Sequence, residues 1–139
     1  MKKTFFIISL VLVLSLFAGC GSQTDSQSSQ HTLTFQEGKI VSGEDLNVDF
    51  DMVGLFFEYK NESGETIMPA DAVGVKAFQN GTELTVMVFT GQETNGYIQC
   101  DTAVQTGTTA NVVWLFELQD TSSVSVECSD GQQFTVDLQ

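Results

Sequence analysis

The chain has 139 residues, with 18 Asp and Glu against five Lys and no Arg, for a formal net charge of −13. Nucleic-acid binders use cationic side chains to displace counterions from phosphates, so this balance excludes nucleic acid as a partner. The same field repels anionic lipid headgroups, so any hold on a membrane must come from something other than side-chain charge.

The first twenty residues read MKKTFFIISLVLVLSLFAGC. Two lysines lead an apolar run from Phe5 to Phe17 that is too short to span a bilayer and ends in small residues. That is the pattern of a secretory signal peptide over residues 1–19, removed from the mature chain. Leu16-Phe17-Ala18-Gly19-Cys20 resembles the bacterial lipobox, with Phe17 where that pattern usually has Leu. The resemblance implies cleavage before Cys20 and lipidation of its sulfur with palmitate-type chains. Two or more acyl chains anchor firmly, so the expected location is the extracytoplasmic face of the cell membrane. The remaining 20–139 suit one domain with a real core.

Residues 20–31 form the lipidated Cys and a tether, GSQTDSQSSQH, with no apolar residue and no periodicity. Such a segment is a flexible coil with a reach of about 17–20 Å. A tether that short points to a membrane-proximal envelope protein as the partner. It also places His31, the single imidazole of the chain, outside the folded domain.

From Thr32 onward the period is two. Leu46, Val48, Phe50 and Met52 alternate with Asp45, Asn47, Asp49 and Asp51, which predicts a half-buried strand with one acidic face. The parity then flips to Val53, Leu55, Phe57 and Tyr59, and Gly54 sits at the slip, which predicts a β-bulge. Val73, Val75 and Ala77 lead into Asn80-Gly81, a strong hairpin signal, and Leu84, Val86 and Val88 return from it. Val112–Leu118 is nearly all apolar and reads as a central strand covered on both faces, carrying Trp114. Val124, Val126 and Cys128 pair across Asp130-Gly131 with Phe134, Val136 and Leu138. At least six strands, short turns and no convincing helix predict an all-β chain, an antiparallel β-sandwich over residues 32–139.

The segments LFFEYKNESGE, AVGVKAFQNGTEL and QTGTTANVVWLFELQD resemble a domain of unknown function found in Gram-positive surface lipoproteins. The likeness spans Leu33 to Gln139 and is strongest at Asn61 with Ser63, Gln79-Asn80-Gly81, and Gly107 before the Trp114 strand. It implies an immunoglobulin-like sandwich, in a superfamily that also holds a secreted mycobacterial immunoprotective antigen. These are turn and core positions, and the resemblance brings no catalytic residues with it.

Four kinds of candidate site follow from the residues. Cys100 and Cys128 stand in an oxidising compartment, which permits a disulfide, tying neighbouring strands near Trp114; two separate buried thiols are the alternative. Asp45, Asp49 and Asp51 offer oxygen ligands to a hard cation such as Ca²⁺, but residues two apart on a strand lie along a line. A solvated strand face that discourages edge pairing explains the same row. Phe56 falls opposite its apolar neighbours, as an exposed binding aromatic or as a ring packed under a loop. Phe89, Gln92, Glu93, Asn95 and Tyr97 lie in and around GQETNG, read as a long exposed recognition loop. No P-loop, dinucleotide fingerprint or metal motif is present, so no cofactor is expected, and with His31 in the tether no enzyme is expected. The expected role is a protein-interaction module at the cell envelope; the alternative is a small-ligand or cation-binding lipoprotein.

Overall fold

The computed structural model describes residues 30–138. The expected signal peptide at 1–19, Cys20 and the expected tether up to residue 29 lie outside the described residues. Ten strands and two single-turn helices follow. They are β1 (His31–Val41), a 3-10 turn (Gly43–Leu46), β2 (Met52–Asn61), α1 (Pro69–Ala72), β3 (Val75–Gln79), β4 (Thr82–Glu83), β5 (Val86–Met87), β6 (Glu93–Thr94), β7 (Tyr97–Gln99), β8 (Thr109–Glu117), β9 (Val124–Cys128) and β10 (Gln133–Val136). The strands form two sheets of a sandwich. One runs β1-β2-β8-β7-β6, with β5 also pairing to β8, and the other runs β10-β9-β3-β4. All pairs are antiparallel except β7 with β8.

Period-two patterning explains the core. Val53, Leu55, Phe57 and Tyr59 of β2 and Val112, Trp114 and Phe116 of β8 face the second sheet. That sheet answers with Val75 and Ala77 of β3, Val124, Val126 and Cys128 of β9, and Val136 of β10. Both expected hairpins form: Asn80 and Gly81 take φ of 50° and 78° between β3 and β4, and Gly131 takes 97° between β9 and β10. A two-residue turn with both residues at positive φ matches strand twist, which is why Asn-Gly serves there.

Three expectations about strands are corrected. The tether ends before His31, which opens β1 opposite Asn61 and is hydrogen bonded through Nδ1 to the Tyr59 hydroxyl at 2.8 Å. The bulge lies in β1, between Phe35 and Glu37, and not at Gly54. The return from Asn80-Gly81 breaks after Leu84: the chain crosses to the other sheet, where β5 pairs with β8 and leaves Val86 and Val88 exposed.

β1 is an edge strand, and its free side is engaged. Gln132 Nε2 donates to Leu33 O at 2.8 Å, and the Phe35 ring lies 4.2 Å from that of Phe134. A Cβ at Gly38 would stand 2.6 Å from Val136 Cγ1, so glycine allows β1 to cross tight against β10. Two buried amides fasten the connections. Gln79 Nε2 donates to Asp120 O and Ser122 O at 3.1 and 2.8 Å while its Oε1 accepts from Gln119 N at 2.9 Å. Asn61 Nδ2 donates to Glu65 O and Val104 O, both at 2.9 Å, and its Oδ1 accepts from Ser63 N and Ser63 Oγ at 3.0 and 2.6 Å.

Candidate functional site

The larger sheet is apolar on both faces, and the outer face needs a cover. Met52, Phe56, Val113 and Leu115 point away from the main core and are fully buried in a second cluster with Val41 and Leu46. Phe56 is therefore a packed ring, resolving the two readings of its parity in favour of a loop above it. Two segments supply that cover, one from each side of the sheet.

The first is the 42–51 connection. Ser42 Oγ accepts from Glu44 N at 3.3 Å, Val48 N donates to Gly43 O at 2.9 Å, and Asp51 Oδ1 accepts from Gly43 N at 3.3 Å. Asn47 closes the turn at φ 59°, in the left-handed region that asparagine tolerates. A Cβ on Gly43 would stand 2.0 Å from Phe50 O, so this winding requires glycine. The expected acidic strand is thus a wound cap. Leu46 is buried and Val48 and Phe50 half-buried, so burial alternates as the sequence does, but no neighbouring strand is paired. The cation site is corrected with it: Asp51 holds Gly43, and Asp45 and Asp49 are exposed on different turns. Among the described residues no group of three or more His, Cys, Asp or Glu is placed to hold a metal ion.

The second is the stretch from Phe89 to Gln99, a tight hairpin in place of the expected long loop. Asn95 and Gly96, at φ 52° and 80°, turn β6 into β7. Phe89 and Tyr97 pack half-buried on the second cluster, Tyr97 edge-on to Phe56 at 4.8 Å. Both are therefore props, while Gln92, Glu93 and Asn95 are exposed.

Between the two covers lies a cleft of about 420 Å³, lined by Ile40, Val41, Ser42, Asp45 and Leu46 on one wall and Glu93, Thr94 and Asn95 on the other. It joins one residue of the expected acidic row, Asp45, to two of the expected recognition loop, Glu93 and Asn95. Behind the second wall, buried Gln99 donates from Nε2 to Thr94 Oγ1 at 3.1 Å, and its Oε1 has no hydrogen-bond partner. Sequence reasoning missed Thr94 and Gln99; the available signal was a glutamine at the end of an otherwise apolar Tyr97-Ile98 strand. None of the three lysines among the described residues lines this cleft. Lys39 pairs with Glu37 at 2.6 Å, Lys60 with Glu62 at 2.7 Å and Lys76 with Glu83 at 3.3 Å.

The expected disulfide is absent: Cys100 and Cys128 are free and buried. They do not sit on neighbouring strands. Cys100 N bonds to Val113 O in the larger sheet, and Cys128 pairs with Val75 in the smaller one, because β8 and β9 lie in different layers. Burial, with Asp101 nearby, pushes the Cys100 thiol up to about 12; burial, with Asp130 nearby, pushes Cys128 up to about 11. Two outcomes are expected. In the folded protein neither thiol reacts readily with a maleimide at pH 7, and both react once the unreduced chain is denatured. Folded thiols that hold protons longer than unfolded ones stabilise only below the unfolded value, near 8.5. Stability measured by urea melts should therefore fall as pH rises from 9 toward 12, and a C100A/C128A variant should show a flatter alkaline arm.

Residues 22–130 match the family described as a domain of unknown function, DUF5067. No curated protein and no solved structure matches the chain.

Proposed function

We propose, for a chain that belongs to the DUF5067 family, the role of a lipid-anchored interaction module on the outer face of a bacterial cell membrane. The observation that carries this reading is the cleft on the covered face of the larger sheet. Recognition sites are commonly connections held by a rigid scaffold, and the walls here are a wound turn and a hairpin tip that cover one apolar cluster. The N-terminal segment supports the membrane location: MKKTFFIISLVLVLSLFAGC ends in a cysteine at a lipobox-like site, and the tether after it is short. No helix among the described residues is long and apolar enough to cross a membrane.

The test is a photoreactive residue at Gln92, exposed beside the cleft, with one at Thr135 on β10 of the opposite sheet as comparison. The expected result is one discrete membrane protein captured in cells from position 92 and not from 135. Equal, diffuse capture from both positions would refute the interaction module. Cys20→Ser is expected to move the protein out of the membrane fraction, read by fractionation and immunoblot. Undiminished membrane association of C20S would refute the lipid anchor.

A further inference from the structure

The dipeptide Asn-Gly occurs twice, at Asn80-Gly81 and Asn95-Gly96, and the fold uses it the same way both times. Each pair is the two-residue loop of a hairpin, closed by Gln79 opposite Thr82 in one and by Thr94 opposite Tyr97 in the other. The backbones nearly coincide: φ is 50° and 78° at the first turn, 52° and 80° at the second. Each hairpin includes a two-residue strand at the edge of its sheet, β4 or β6. All four turn residues are exposed, and nothing stands within 4 Å of a Cβ built on either glycine. Neither glycine N–H has a hydrogen-bond acceptor among the described residues.

The asparagine side chains differ. Asn80 Nδ2 donates to Asp120 Oδ2 at 2.9 Å. Asp120 is itself fixed, since its Oδ1 accepts from Ser122 N at 2.8 Å and from the Ser122 hydroxyl. Those bonds from Ser122, and after them the one from Asn80, hold its carboxyl below the usual carboxylate range, so the acceptor is ionised at neutral pH. The Asn95 side chain has no hydrogen-bond partner among the described residues.

An asparagine followed by glycine carries its own nucleophile, because no Cβ crowds the glycine nitrogen. That nitrogen attacks the asparagine Cγ. An N–Cγ bond forms and closes a cyclic imide, the Cγ–Nδ2 bond breaks, and the glycine N–H proton leaves with the ammonia. Water then opens the imide. Addition at Cγ gives aspartate. Addition at the main-chain carbonyl gives isoaspartate, with the backbone rerouted through the side chain. The amide must turn for the attack, so a hydrogen bond that holds Nδ2 has to break first.

We propose that Asn95 is a site of spontaneous deamidation in the folded protein, and that Asp120 protects Asn80 from the same reaction. The inference is independent of the interaction reading. Its consequence falls on the cleft, because Asn95 lines it with Asp45 and Glu93. Either product puts a carboxylate where a neutral amide stood. Isoaspartate also adds a methylene to the main chain of a turn only two residues long. One wall of the cleft thus undergoes a slow, one-way change of charge with the age of the molecule.

The test holds the full-length chain in a neutral detergent at pH 7 and samples it over weeks. Glutamate-specific digestion cuts at Glu83, between the two turns, and mass spectrometry then reads each site separately. Asn95 is expected to convert about tenfold faster than Asn80, the factor that one charge-assisted hydrogen bond puts on a rate. Asp120→Ala should raise Asn80 to the Asn95 rate and leave Asn95 unchanged. In concentrated urea the two sites should convert at similar rates, since the Asp120 contact exists only in the fold. No conversion at Asn95, equal rates in the folded chain, or an Asn80 rate untouched by D120A overturns the proposal. A difference of the same size that persists in urea overturns it too, because neighbouring sequence and not Asp120 would then set it. The urea comparison needs no variant, so the wild-type chain alone can refute the claim.

Discussion

Phe56→Ala is expected to destabilise the domain by about 4 kcal/mol, within the range for emptying a buried aromatic site. The ring is fully buried at the centre of the second cluster, edge-on to Tyr97 at 4.8 Å and beneath the Lys39 ammonium at 4.8 Å. Its neighbours cannot collapse freely, because Val113 and Leu115 are fixed in β8 and Met52 in β2. Thermal unfolding followed by circular dichroism should show a drop on the order of 15 °C for a domain of this size. The damage should be local before it is global. Amide exchange should rise first over 42–51 and 89–97, the two segments seated on this ring, while the Trp114 side of the sheet stays protected. A loss under 1 kcal/mol would mean that the outer face has no core of its own.

Asn61→Ala is expected to cost about 3 kcal/mol, although it removes few atoms. One amide makes four hydrogen bonds at the end of β2, to Glu65 O, Val104 O, Ser63 N and Ser63 Oγ. Truncation strands buried donors and acceptors, and each such group costs about 1–3 kcal/mol before relaxation. The knot extends further, since Gly107 N donates to Asn61 O at 2.7 Å and the Thr106 hydroxyl donates to Ser63 O. Asn61→Asp tests the mechanism. It keeps the volume but turns a two-donor group into a carboxylate facing two carbonyls, so it should be at least as damaging in a urea melt. If N61D were neutral while N61A was not, packing would explain the position and the hydrogen bonds would not.

These two residues also show what was legible in the sequence. Parity assigned Val53, Leu55, Phe57 and Tyr59 to one face and Phe56 to the other, and Val112–Leu118 was readable as covered on both sides. Side-chain alternation survives folding because the strand period is fixed at two. Asn-Gly and Asp-Gly marked their turns because few other residues adopt positive φ cheaply. Alternation misled at Asp45–Asp51, where Leu46, Val48 and Phe50 do turn inward but along a wound cap. Burial pattern reports which side of a segment is dry, and backbone pairing depends on whether a neighbour is present; β1 ends at Val41 opposite Met52 and leaves none. Asp45, Glu93 and Asn95 were each identifiable as exposed polar residues. Their meeting across one cleft was not, because it depends on two chain segments folding over the same sheet from opposite edges. The placing of Cys100 and Cys128 in different sheets was hidden for a related reason: a single connection between β8 and β9 carries the chain to the other layer.

The eleven residues of β1 run about 35 Å from His31 to Val41. Residues 1–30 precede one end, and the residues lining the cleft lie at the other, from Ile40 to Leu46. Tension between those two points is directed along the strand axis. Antiparallel ladder bonds lie perpendicular to that axis, so the β1–β2 bonds are loaded in shear and must yield together. Pulling at right angles would instead break them one after another, like a zip. The crossing of Gly38 over Val136 and the clasp of Gln132 on Leu33 O resist the same sliding. The strand therefore serves as a tie rod between His31 and Ser42, loaded along its own axis.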